Sequence, residues 1–162
     1  LRRSSYEQRT VPKACKGAHG VSVQKIVVDT DIILEHLIHG DGASILRVTM
    51  NTYFCYTTVF NAIEAFSMAR SKKEIQAVDD AMSAMKVIGL NAKSAKSIGK
   101  IYSNDISVGK KVLPALIAGV CVESRLPIVT MNPKRFSRIK RLRVIPAQKI
   151  ISHSAATEMP SH

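Results

Sequence analysis

The stretch whose reading decides the fold is "IVVDTDIILEHL", residues 26–37. Three apolar β-branched residues run into Asp29, Thr30 and Asp31. Apolar residues then return at Ile32, Ile33, Leu37 and Ile38, and the pattern stops at Gly40. The first part reads as a short buried strand, and the spacing after it reads as a helix. Two acids therefore stand where a strand hands over to a helix.

Working outward, the same alternation repeats. "YFCYT" (53–57) is a second strand, and Thr57 or Thr58 can cap the helix "VFNAIEAFSMARS" that follows it. "KKEIQAVDDAMSAM" (72–85) is an amphipathic helix and "KVIGL" (86–90) a third strand. Asn91 caps the helix "AKSAKSIGKIYS", and "KKVLPALIAGVCVESR" (110–125) is an apolar helix. "PIVTMN" (127–132) and "LRVI" (142–145) supply strands four and five. Short apolar strands alternating with helices predict an α/β protein, a three-layer α/β/α sandwich with a mostly parallel sheet of about five strands. In such sheets ligands bind off the carboxyl ends of the strands. Asp29 ends the first strand, and Thr130 and Asn132 end the fourth.

At 162 residues and 46% hydrophobic content the chain suffices for one domain with a real core. The expected division is a flexible basic segment over 1–20, a folded domain over 21–151 and a flexible tail over 152–162. The basic start is followed by no apolar run, which argues against a secretory signal, and no stretch approaches a membrane span. Cys15, Cys55 and Cys121 are scattered; Cys55 and Cys121 lie in apolar runs and read as packed core thiols, consistent with a reducing cytoplasm. His36 and His39 read as helix-surface residues, not as a metal pair.

Charge is the more informative quantity. The chain has 24 Lys and Arg against 12 Asp and Glu, a net +12. Between Lys86 and Lys149 stand 14 basic residues and two acids, Asp105 and Glu123. The densest piece, "KRFSRIKRLR" (134–143), has six basic residues in ten. A solvated face usually mixes both signs, so this run reads as a footprint for a polyanion.

Asp31 has a plain structural explanation, because an acid in the first turn of a helix is favoured by its dipole. Asp29 is harder to dismiss at the sheet's carboxyl edge. It has company in Glu64, the only acid between Asp41 and Glu74, set in the otherwise small and apolar "VFNAIEAFSMA". A carboxylate there needs a cation, a hydrogen bond or water.

"IVVDTDIILEHL", "TTVFNAIEAFSMAR" and "LPALIAGVCVESRLPIVTMNPKRFSRIKRLRVI" together resemble successive motifs of the PIN domain, especially its VapC-type toxin ribonucleases. The resemblance spans most of residues 25–146. It implies an RNA-cleaving domain that holds Mg²⁺ or Mn²⁺ with a carboxylate cluster, and a small antitoxin partner. By position it implies Asp29 and Glu64 as metal ligands, with Thr130 and Asn132 completing the catalytic set. Lys134, Arg135, Arg138, Lys140 and Arg141 are the expected RNA-binding cations, and a homodimer without membrane attachment is the expected assembly. One departure stands out: the family's acid before A-L-I-A is replaced by Pro114 or deleted beside it. The nearest upstream acid, Asp105, reads as a turn residue. Two further readings stay open: a PIN-fold RNA-binding or interaction module with a degenerate metal site, and a basic nucleic-acid-binding α/β protein unrelated to nucleases.

Overall fold

The computed structural model describes residues 23–39, 42–104 and 112–157. Five strands, β1 (Lys25–Val28), β2 (Phe54–Thr58), β3 (Lys86–Ile88), β4 (Ile128–Thr130) and β5 (Val144–Pro146), form one sheet in the order β3-β2-β1-β4-β5. Every pairing is parallel. Seven helices surround it among the described residues: α1 (Thr30–His39), α2 (Ile45–Thr52), α3 (Val59–Met68), α4 (Lys72–Ser83), α5 (Ala92–Asn104), α6 (Val112–Ser124) and α7 (Ala147–Thr157). A 3₁₀ turn, Pro133–Phe136, follows β4. This is the three-layer sandwich expected from the sequence.

The strands are apolar on both faces because both are covered. In β1, Ile26 and Val28 join one core with Ile33 of α1, Leu46 of α2, Ala65 of α3, Val78 of α4 and Ile150 of α7. Val27, pointing the other way, joins a second core with Ile101 of α5, Ile117 and Cys121 of α6, and Phe136. The one-residue alternation of a strand thus divides the chain into its two helical layers. Cys55 and Cys121 are buried free thiols, as expected; burial pushes Cys55 up to about 12 and Cys121 higher still, so neither is a ready thiolate. Cys15 lies outside the described residues. No described helix is long and apolar enough to cross a membrane.

Two helices exceed what periodicity revealed. α2 has only eight residues, too few for a clear repeat, and starts at Ser44, whose hydroxyl accepts from the Arg47 amide at 3.3 Å. α7 carries the chain past Ile151, where the sequence reading ended the domain. His36 bonds the Ser44 hydroxyl at 2.7 Å and so braces the α1–α2 corner, whereas His39 lies against Glu35, one turn back on α1, at 3.1 Å. Pro114 falls in the first turn of α6, where a missing N–H breaks no helical hydrogen bond.

α5 and α6 approach closely at Gly119. A Cβ there would lie 2.5 Å from Ile98 Cγ1 and 3.2 Å from the Ile98 Cα. Alanine is the better helix former by about 1 kcal/mol, but overpacking typically costs 1–3 kcal/mol. Gly119→Ala should therefore shift the denaturation midpoint down by about 1 kcal/mol in stability. Ile98→Ala should cost less in the Gly119→Ala background than alone, because the two side chains compete for one space.

Candidate functional site

The strand order reverses between β1 and β4, which is where an open α/β sheet leaves a crevice at its carboxyl edge. Asp29 sits at that point. Its N–H bonds the Val129 carbonyl at 3.0 Å, extending the β1–β4 ladder by one residue and fixing the side chain beside the end of β4.

The Asp29 carboxylate is 0% exposed. Its Oδ1 accepts from the Thr30 amide at 2.9 Å and from Asn61 Nδ2 at 2.9 Å, and lies 3.5 Å from Arg135 Nη1. Its Oδ2 is buried without a hydrogen-bond partner. Asn61 reaches Asp29 because it belongs to the cap of α3. The Thr58 hydroxyl accepts from the Asn61 amide at 3.2 Å and the Thr58 amide donates to Asn61 Oδ1 at 3.3 Å, closing a capping box; the hydroxyl also donates to that Oδ1 at 2.6 Å, which aims Nδ2 across to β1. The same Nδ2 donates to Thr30 Oγ1 at 3.0 Å.

Glu64 lies one helical turn beyond Asn61, on the same side of α3. Its Oε2 accepts the Thr30 hydroxyl at 2.5 Å, and both its oxygens accept from Arg135 Nη2, at 2.9 and 2.8 Å. Arg135 comes from the 3₁₀ turn after β4, next to Phe136, which is packed into the second core at 1% exposure. One guanidinium therefore spans both carboxylates.

Asp31 does something the helix-dipole argument did not foresee. Its Oδ2 accepts from the Thr130 hydroxyl at 2.8 Å, the Met131 amide at 2.9 Å and the Asn132 amide at 3.0 Å. It ties the start of α1 to the end of β4, while its Oδ1 is buried and unpartnered.

Of the residues singled out from the sequence, Asp29 and Glu64 are brought together. Thr130 and Asn132 reach the same edge but bond Asp31, and the Asn132 side chain stands exposed without capping the 3₁₀ turn. Lys134, Arg138, Lys140 and Arg141 are exposed along the segment joining β4 to β5. Arg135, expected among these phosphate-binding cations, instead turns inward, with its side chain 17% exposed. It does so because two carboxylates lie within its reach. The sequence reading missed Asn61, Thr30 and the anchoring role of Asp31. The threonine-to-asparagine spacing of the capping box, Thr58 to Asn61, was the available signal for the first.

These residues do not fit a Mg²⁺ or Mn²⁺ ion as they stand. A hard dication needs several oxygens at about 2.1 Å and tolerates no cation among them. Two carboxylates would suffice in number for a water-rich Mg²⁺ site, but among the described residues the two that converge do so on a guanidinium. Asp31 is committed to β4, and the helix slot expected to carry an acid holds Pro114. Among the described residues no group of three His, Cys, Asp or Glu side chains is placed to hold a metal. Asp105 lies outside the described residues.

Burial pushes the Asp29 carboxyl up to about 6, with Arg135 pulling it down and Asp31 adding to the rise. A carboxyl raised in the folded state binds its proton more tightly there than in the unfolded chain. Its ionisation therefore costs stability as pH climbs from about 4 to about 6, and the loss levels off above that. Two units correspond to about 3 kcal/mol. In chelator-treated protein, Asp29→Asn should be more stable than the parent at pH 7, by about 1–3 kcal/mol. The difference should shrink towards zero near pH 4, as read from urea midpoints across that range.

No protein-family model matches the chain, and no curated protein does either. Solved structures do. A VapBC2 complex from Rickettsia felis bound to a promoter DNA fragment matches at 21% identity and TM-score 0.64, covering 76% of this chain and 98% of that one. A DNA-bound VapBC from Salmonella typhimurium matches at 20% identity and TM-score 0.66, covering 77% and 99%. VapBC-1 from nontypeable Haemophilus influenzae matches at 18% identity and TM-score 0.62, covering 77% and 99%. At such identities the likeness is one of fold: the chain carries the VapC-type PIN-domain fold.

Proposed function

We propose that this chain is a PIN-fold protein directed at RNA, binding single-stranded or loop RNA along the carboxyl edge of its sheet. One observation carries the reading. The exposed cations Lys134, Lys140 and Arg141 lie on the segment that leaves β4, the strand whose end borders the carboxylate pair. Phosphates bound there would pass beside Asp29 and Glu64. Unpaired bases would supply any sequence preference, since the major groove of duplex RNA is too narrow for side chains. A small antitoxin partner, as in the toxin–antitoxin complexes this fold resembles, a homodimer and a cytoplasmic setting belong to the same reading. Ile63 and Phe66, one turn apart on α3, stand exposed, apolar side chains of the kind a protein partner covers.

A second reading, a Mg²⁺- or Mn²⁺-dependent endoribonuclease, is favoured by one feature. The buried Asp29 Oδ2 has no partner, beside a second carboxylate. It requires Arg135 to leave the pair, and further ligands. Binding without efficient cleavage is the reading closer to the observed geometry.

Titrating a labelled unstructured RNA at several salt concentrations tests both. The affinity should fall steeply with salt, by a log–log slope of about 0.7 per phosphate neutralised. Lys140→Ala combined with Arg141→Ala should flatten that slope by about 1.4, and Mn²⁺ should promote little cleavage, lost altogether in Asp29→Asn. An unchanged slope in the double variant would assign these cations elsewhere. Full cleavage at micromolar Mg²⁺ would make the nuclease reading the correct one.

A further inference from the structure

Arg135 differs from every other basic residue of its segment. Lys134, Arg138, Lys140, Arg141 and Arg143 are exposed, whereas the Arg135 side chain is 17% exposed. Its two terminal nitrogens are divided between the acids, Nη2 on both oxygens of Glu64 and Nη1 towards Asp29. A guanidinium stays protonated at any ordinary pH, and its planar fork suits two carboxylates better than an ammonium does. Asp29 needs such a cation, because an ionised carboxylate with no exposure is costly unless paired.

We infer that Arg135 is the resident cation of this centre: it holds the place between Asp29 and Glu64 that a divalent ion would take, and so excludes divalent ions from the resting chain. The inference rests on reading this edge as a PIN-type carboxylate centre, and it adds how that centre is neutralised. A dication entering here must first displace a guanidinium held by contacts to both acids. Phe136, buried directly after it, anchors the backbone from which that arm extends, so the arm is placed by the fold. Lysine at 135 would keep the charge but lose the two-pronged grip. Alanine would leave the two carboxylates with no cation between them.

Mn²⁺ alone is the probe, and no RNA is needed. Loss of the free-ion electron paramagnetic resonance signal gives its affinity for the parent, Arg135→Ala, Arg135→Gln and Arg135→Lys, with circular dichroism confirming that each is folded. Arg135→Ala and Arg135→Gln should bind Mn²⁺ at least about 10-fold more tightly than the parent, the low end of what one adjacent guanidinium takes from a carboxylate's affinity for a proton, about 1–3 pKa units. Arg135→Lys should fall between. Without metal, Arg135→Ala should melt below the parent, and Mn²⁺ should raise its Tm while leaving the parent's unchanged. Lys72→Ala, which removes an exposed charge on α4, should bind Mn²⁺ as the parent does. If the parent binds Mn²⁺ as tightly as Arg135→Ala, or if the folded Arg135 variants bind none, Arg135 is not what excludes the ion and the inference is wrong. Salt-dependent RNA binding by the Lys140 and Arg141 variant is read separately, so failure of the RNA reading and failure of cation exclusion are distinguishable.

Discussion

A carboxylate with no solvent exposure has to be neutralised or hydrogen-bonded by its surroundings, and Asp29 draws on three regions of the chain for this. The Thr30 amide comes from its own junction, Asn61 from the cap of α3, and Arg135 from the turn after β4. Each depends on a correctly formed element. The capping box must close for Asn61 to reach across, and Phe136 must pack for the 3₁₀ turn to carry Arg135 back over the edge. The site is therefore not grafted on the fold as a separate feature. It is the point where the ends of β1 and β4 and the start of α3 meet.

Around that point three acids divide the work by the partners available. Asp31 lies beside the backbone amides that follow β4 and becomes a clasp between α1 and that strand. Asp29 and Glu64 face each other across Thr30, whose amide bonds the first and whose hydroxyl bonds the second, and across a shared guanidinium. Two negative groups so close are tolerable only with positive charge between them, and this chain provides its own. The same arrangement accounts for the tension at the site. Burial keeps the Asp29 proton more tightly bound than usual even with Arg135 beside it, so the centre costs the fold some stability at neutral pH.

The basic surface follows from the same topology. β4 is short, and the segment from Asn132 to Arg143 must travel from its carboxyl end back to the start of β5. Phe136, Ile139 and Leu142 are the side chains of that segment that enter the core. The residues between them point outward and are mostly Lys or Arg, which brings positive charge next to the carboxylate edge without placing it inside. Arg135 is the exception because it has acids within reach.

Much of the fold was legible in the residues themselves. Strand and helix periods, the strand-ending position of Asp29 and the isolation of Glu64 in an apolar helix are local properties, and local properties survive in a linear sequence. Strand boundaries came within a residue or two, and the parallel three-layer arrangement followed from their alternation with helices. α2 was not legible, since eight residues hold too little of a period. What tertiary structure alone decided were the partnerships. Arg135 looks like its neighbours in "KRFSRIKRLR", and Asp31 looks like any first-turn acid. Only the strand order β3-β2-β1-β4-β5 sets β4 beside β1 and so brings residues about a hundred positions apart into hydrogen-bonding range. A charge pattern reports that cations are present, but which of them meets a carboxylate depends on distances that exist only after the sheet has formed.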